Sequence, residues 1–81
     1  MFIEVSNDVI KIRCESFKDM VSVREQLHDK LVGNPAYIDN DIVLNCSDDR
    51  CDGTENEVHI AILGENVSIP ELFGLVRSVK R

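Results

Sequence analysis

The chain has 81 residues, of which 43% are hydrophobic and 30% are charged, a balance typical of one folded globular domain. Its net charge of −6 argues against nonspecific binding to nucleic acid, which requires clustered lysines and arginines. Three cysteines cannot form a closed disulfide set within one chain, and no signal peptide or membrane-spanning apolar run is evident. We therefore expect a single cytoplasmic domain over residues 1–81, without membrane association.

The opening segment, residues 2–14, predicts a β-hairpin. A two-residue loop at Asn7 and Asp8 gives a register in which Glu4 lies opposite Lys11 as an opposite-charge pair. The same register aligns two apolar pairs on the other side of the hairpin, Val5 with Ile10 and Ile3 with Ile12. Because one register satisfies both faces, it is the expected one.

A first helix is predicted after this hairpin. Ser16 is placed to cap its first turn, with Asp19 as a weaker reciprocal partner. Apolar residues recur at near-helical spacing at Phe17, Met20, Leu27 and Leu31. Gly33 is expected in the left-handed conformation that ends many helices, and Pro35 prevents continuation.

A third strand is predicted at residues 41–46, where Ile42, Leu44 and Cys46 alternate with more polar positions. The segment that follows, Ser47 to Asn56, is polar and rich in acidic side chains. We assign an acidic loop to five carboxylates: Asp48, Asp49, Asp52, Glu55 and Glu57.

The stretch from Glu57 to Lys80 predicts a strand, a turn and a capped helix. Alternation of Val58, Ile60 and Ile62, with a second face that is also partly apolar, predicts a central strand. Ser68 and Glu71 form a capping box at the start of the helix. The helix carries one apolar stripe, made of Ile69, Leu72, Phe73, Val76 and Val79. Gly74 is interpreted as a site of close packing between helix and sheet.

The predicted order is β-β-α-β-β-α, an α+β domain with a four-stranded mixed sheet and two helices on one face. The other face is then open, and its half-apolar character predicts a contact surface for another molecule. The residues assigned to this interaction face are Phe2, Val9, Lys11, Arg13, Ala61 and Leu63.

Soft metal ligands are represented by three candidates, Cys46, Cys51 and His59. Their spacing is unlike that of common zinc sites, and Cys46 and His59 are expected on opposite faces of the sheet. A calcium loop with Gly53 at its sixth position would put Arg50 and His59 where oxygen ligands are required. We therefore expect no metal and no cofactor. No nucleophile is paired with a base and no glycine-rich phosphate loop occurs, so no enzymatic activity is predicted.

Three segments together resemble the amino-terminal domain of MinC, the bacterial division-site inhibitor. They are FIEVSNDVIKIRC at the start, ESFKDMVSVREQLHDKL in the first helix, and EVHIAILGENVSIPELFGLVRSVK at the end. The resemblance implies a non-enzymatic domain that antagonises FtsZ polymers through a sheet or helix surface.

Three functions remain open from the sequence. The first is a protein-interaction module, an inhibitor or regulator of a cytoplasmic protein, whose partner is another protein or a second copy in a homodimer. The second is an acidic decoy of the phage or antitoxin type, which binds a basic protein surface through its negative charge. The third is a metal or redox site built from Cys46, Cys51 and His59.

Overall fold

The computed structural model describes residues 1–46, 56–65 and 67–80 of the chain. In chain order its elements are β1 (Phe2–Val5), β2 (Val9–Arg13), α1 (Phe17–Leu31), α2 (Pro35–Ile38), β3 (Ile42–Cys46), β4 (Glu57–Ile62) and α3 (Ile69–Arg77). The predicted α+β class is confirmed. The predicted order lacked the short helix α2, which follows α1 directly.

The sheet has four strands in the order β1-β2-β4-β3, and all three pairings are antiparallel. The prediction of a mixed sheet is therefore wrong. Strands β2 and β3 do run in the same direction, but β4 lies between them and pairs with both. A parallel contact never forms because the last strand fills the gap. The interior position of β4 agrees with the central strand predicted for this segment, although only Ala61 is apolar among its outer-face residues.

The first hairpin has the predicted register, with Ile3 opposite Ile12, Glu4 opposite Lys11 and Val5 opposite Ile10. The amide of Ser6 donates to the carbonyl of Val9 at 3.0 Å, which closes the loop at Asn7 and Asp8. Local sequence was sufficient here because loop length and side-chain alternation both select the same alignment.

Both long helices begin at the predicted caps. The Ser16 hydroxyl accepts a hydrogen bond from the Asp19 amide at 3.1 Å, and the Ser68 hydroxyl accepts one from the Glu71 amide at 3.4 Å. Each cap satisfies an amide that has no partner within its own helix. The capping pattern therefore located both helix starts from the sequence.

Helix α2 was missed because its start was interpreted as a helix stop. Asn34 caps it by accepting from the Ala36 amide at 2.9 Å, and Pro35 occupies the first turn, where a missing N–H has no effect. Gly33 does not take the predicted left-handed conformation. Asn40, after α2, has a φ of 62° and turns the chain into β3.

The core lies on one face of the sheet. Alternate strand residues there form one buried cluster with residues of α1 and α3, and the fully buried members include Ile10, Ile12, Val23, Leu27, Ile42, Val58, Ile60 and Val76. We call this the inner face. The Gln26 side chain on α1 also accepts from the Lys80 amide at 2.9 Å, which ties the end of α3 to α1.

Gly74 does not make the close contact that the sequence suggested. It is exposed on α3, and a Cβ at this position would meet no atom within 4 Å. Of the helices in the described residues, none is long and apolar enough to span a membrane.

Candidate functional site

The second side of the sheet, which we call the outer face, carries the strand residues that alternate with the core residues. Its members are Phe2, Glu4, Val9, Lys11, Arg13, Val43, Asn45, Glu57, His59 and Ala61, and Leu63 continues the alternation one residue past β4. Apart from Glu57, these residues are partly or fully exposed. The six residues assigned to the interaction face from the sequence all have positions on this side.

Strand register divides the outer face into two ends. At one end, Val9 lies opposite Ala61, and Ala61 lies opposite Val43 on the far strand. Leu63 lies beside this row, two residues beyond Ala61, where its amide donates to the Asp41 carbonyl at 2.7 Å, and the residue is 68% exposed. These residues form a continuous apolar strip across three strands, which we call the apolar end.

The other half of the outer face is charged. Lys11 lies between Glu4 and His59, and Arg13 lies between Phe2 and Glu57. Phe2 is 61% exposed but is separated from the apolar end by the row that contains Lys11. The predicted face is thus two neighbouring surfaces of different chemistry.

A buried carboxylate organises the charged end. Arg13 donates from Nε to Oε2 of Glu57 at 3.0 Å, and His59 Nε2 lies 2.8 Å from Oε1 of the same carboxylate. The Glu57 side chain is only 9% exposed, whereas that of Arg13 is 60% exposed. The hydrogen bond with His59 lowers the pKa of Glu57 most, with Arg13 acting in the same direction, and burial opposes them.

The placement of Glu57 corrects its assignment to the acidic loop. It is the first residue of β4, and its carboxylate is turned onto the sheet surface and partnered there. The sequence could have predicted the contact between Glu57 and His59, since residues two apart on a strand share a face. The Arg13 contact depends on the β2–β4 register, which joins segments 44 residues apart in the chain.

The soft-ligand candidates are not gathered into one site. Cys46 lies opposite Val58 and packs against the core, while His59 is on the outer face, as the alternation predicted. Burial raises the pKa of the Cys46 thiol, and the charge of Arg24 acts in the opposite direction. Among residues 1–46, 56–65 and 67–80, no three potential metal ligands cluster. The remaining acidic-loop and metal candidates, Asp48, Asp49, Cys51, Asp52 and Glu55, lie outside the described residues.

A pocket of about 190 Å³ lies on the helix side, between the starts of α2 and α3. It is lined by Asn34, Pro35, Ala36, Val67, Ser68, Glu71 and Leu72. The side-chain oxygens of Asn34 and Ser68 already accept the helix-capping bonds. These polar groups therefore serve the fold, and the outer face remains the stronger candidate for function.

No protein-family model, curated protein or solved structure matched this chain. The likeness to the MinC domain thus rests on the three sequence segments alone, and the function must be argued from the geometry of the outer face.

Proposed function

We propose that the domain is a non-enzymatic protein-interaction module that binds its partner through the outer face. The observation that carries this proposal is the apolar end, in which Val9, Ala61 and Val43 form a row across three neighbouring strands and the exposed Leu63 lies beside it. A sheet face that is not packed against a second layer usually carries polar side chains, and a continuous apolar strip there favours a contact surface.

The two ends of the outer face differ in chemistry and should contribute differently to binding. Apolar contact at Val9, Ala61 and Leu63 supplies binding free energy by removing side-chain area from water. At the charged end, Glu4 offsets Lys11 and Glu57 offsets Arg13, so the surface has mixed charge. Mixed charge at the rim of an interface contributes orientation and specificity more than affinity.

Charge placed in the apolar end is the sharpest test. Leu63→Glu adds a carboxylate to the strip, at a side chain 68% exposed and with little packing to lose. We expect binding of the partner captured from the native host to fall at least about tenfold, the loss of roughly 1.4 kcal/mol. Isothermal titration or surface plasmon resonance measures it.

Ile38→Glu is the matched control for that experiment. Ile38 is 63% exposed and lies on α2, on the helix side of the molecule. It should leave binding unchanged. Equal loss in both variants would show that net charge alone governs binding, and no loss with Leu63→Glu would remove the apolar end from the interface.

At the charged end, Lys11 is the better residue for charge reversal. Arg13→Glu would set a second carboxylate beside the buried Glu57, so its effect on folding would obscure any effect on binding. Lys11→Glu should weaken partner binding several-fold. It also places a carboxylate opposite the exposed Glu4, which costs at most about 1 kcal/mol, so the thermal unfolding midpoint should fall by no more than about 4–8 °C.

The resemblance to MinC gives this proposal a specific form, in which the partner is FtsZ. Under this form, the chain should reduce the amount of FtsZ polymer that sediments with GTP, and Leu63→Glu should restore sedimentation. Unchanged sedimentation at chain concentrations well above that of FtsZ would reject FtsZ and leave the general interaction role to be tested by affinity capture.

A second proposal is that the chain acts as an acidic decoy for a basic protein, favoured by the net charge of −6. Binding through charge should weaken steeply between about 0.05 and 0.5 M salt, because screening shortens the range of exposed charges. Binding through the apolar end should change little over the same range.

A further inference from the structure

The two edge strands of the sheet are covered very differently. Strand β3 packs beneath α1 and α2, and its Ile42 is 1% exposed. Strand β1 packs mainly against its neighbour β2. Its Phe2 and Val5, which lie on opposite faces, are 61% and 44% exposed. Strand β1 is therefore an edge with uncovered apolar side chains on both faces.

The backbone of β1 also has a free hydrogen-bonding edge. In antiparallel pairs, alternate residues bond to the neighbouring strand and the residues between them point away. Ser6 bonds to Val9 across the hairpin, which assigns Glu4 and Phe2 to the bonded set. Ile3 and Val5 then direct their N–H and C=O groups outward. The bonds from β2 to β4 at Cys14 and Asp8 agree with this alternation.

We propose that a second copy of this chain pairs with β1 through its own β1, so that two four-stranded sheets join in a symmetric antiparallel dimer. Unprotected edge strands are templates for such pairing, and natural edges are commonly blocked by proline, bulges, charges or very short length. Of these, β1 has its short length of four residues and the outer-face charge of Glu4, which limit the strength of the pairing. Strand β1, with the sequence FIEV, carries one charge and no proline. The outward N–H and C=O groups of β1 are self-complementary, because a two-fold axis brings the donors of each strand to the acceptors of the other.

Charge selects the register of this pairing. To keep both inner faces on the same side, the two-fold axis must pass through a residue of β1, and an axis at Ile3 or at Glu4, the two central residues, pairs the most strand residues. An axis at Glu4 would place two carboxylates directly opposite each other, which is unfavourable. An axis at Ile3 instead places Glu4 opposite Phe2 of the second copy, with Lys11 on the other side of Glu4. The Ile3 register is therefore the proposed one.

The dimer should form only at high protein concentration. Two strands of four residues bury less than the roughly 1,200 Å² of a stable interface. Self-association goes beyond the partner binding proposed above, and it is measured on the chain alone. Failure of one proposal therefore leaves the other intact.

Amide hydrogen exchange followed by NMR tests the pairing, with a control built into the strand. Between about 10 µM and 1 mM chain, exchange at Ile3 should slow with concentration, because its amide gains the Ile3 carbonyl of the second copy as a partner. The Glu4 amide is already bonded to β2 in the monomer, so its exchange should slow less than that of Ile3. Concentration-independent exchange at Ile3, with sedimentation showing a monomer at 1 mM, would overturn the proposal.

Two substitutions that remove the same aromatic ring test the register. Phe2→Glu sets like charges opposite each other at both ends of the interface, and the dissociation constant should rise about tenfold or more. Phe2→Lys sets a cation opposite each Glu4 carboxylate, so the dissociation constant should be lower than for Phe2→Glu by a similar factor.

Within one chain, the same two changes act in the opposite direction. Phe2 lies opposite Arg13, so a glutamate there is attracted and a lysine is repelled in the monomer. Thermal stability should thus favour Phe2→Glu while self-association favours Phe2→Lys. Equal dissociation constants for the two variants would place the dimer contact elsewhere and refute the proposed register.

Discussion

The two faces of one sheet are specified by different physics in this domain. On the inner face, residues such as Ile10, Ile12 and Ile60 are almost completely buried in a single cluster with two helices. On the outer face, the same strands carry a paired charge cluster at one end and an apolar strip at the other. Packing density determines the inner face, whereas cross-strand pairs determine the outer face.

This difference matters for function because the buried residues of the inner face tolerate few substitutions. The buried side chains there pack together in one cluster, so substituting one of them disturbs its neighbours. The outer face is built from local pairs, and each can change with limited effect on the fold. A binding surface is therefore more easily accommodated on the outer face.

The largest expected effect is on the inner face. Ile60→Ala should lower the free energy of unfolding by about 2–5 kcal/mol, because Ile60 is 1% exposed and its loss leaves a cavity. Val43→Ala, its counterpart on the outer face, should cost less than about 1 kcal/mol, since Val43 is partly exposed. Urea denaturation measures both. Similar losses would show that the outer face is packed as tightly as the inner one.

The next largest effect should come from the buried carboxylate of the outer face. Glu57→Gln weakens the charge-assisted bonds from Arg13 and His59 and should cost about 1–3 kcal/mol at pH 7. The exposed Glu25→Gln on α1 is the control and should change stability by less than about 0.5 kcal/mol. An equally small loss for Glu57→Gln would mean that the charge cluster does not hold β2 to β4.

The same carboxylate gives the stability a pH dependence of known sign. Because the folded pKa of Glu57 lies below its ordinary value of 4.5, its contribution is present above that pH and is lost as pH falls through the folded pKa. The stability difference between the parent and Glu57→Gln should therefore shrink on acidification. Thermal unfolding of both proteins between pH 7 and pH 3 measures this difference. A stability difference that stays constant over that range would contradict the assignment to the Glu57 carboxylate.

The smallest expected effects on stability come from replacing two glycines, Gly74 and Gly64, with alanine. Gly74→Ala should raise stability by about 1 kcal/mol, because the site is exposed in α3 and alanine favours helix. Gly64→Ala should have the opposite sign, since a Cβ there would lie 2.7 Å from the Cβ of Asp41. Thermal unfolding of the two variants compares them. Destabilisation by Gly74→Ala would instead support the close helix–sheet packing that the sequence suggested.

Features that involve neighbouring residues were the predictable ones. The hairpin register followed from its loop and its alternation, and the caps at Ser16 and Ser68 followed from side chains within three residues. The wrong predictions depended on contacts between distant segments, as for the mixed sheet, or on residues with two possible roles, as for helix α2. Pro35 both ends α1 and begins α2, and only the Asn34 cap decides between these roles.

By itself, the sequence determined which side of each strand faces the core, because a period of two is fixed by the backbone. It also determined the α+β class and the starts of both long helices, which depend on local hydrogen bonds. Only the tertiary structure placed β4 between β2 and β3, which made the sheet antiparallel throughout. That placement set Glu57 against Arg13 and aligned Val9, Ala61 and Val43, contacts between distant segments that no local pattern encodes.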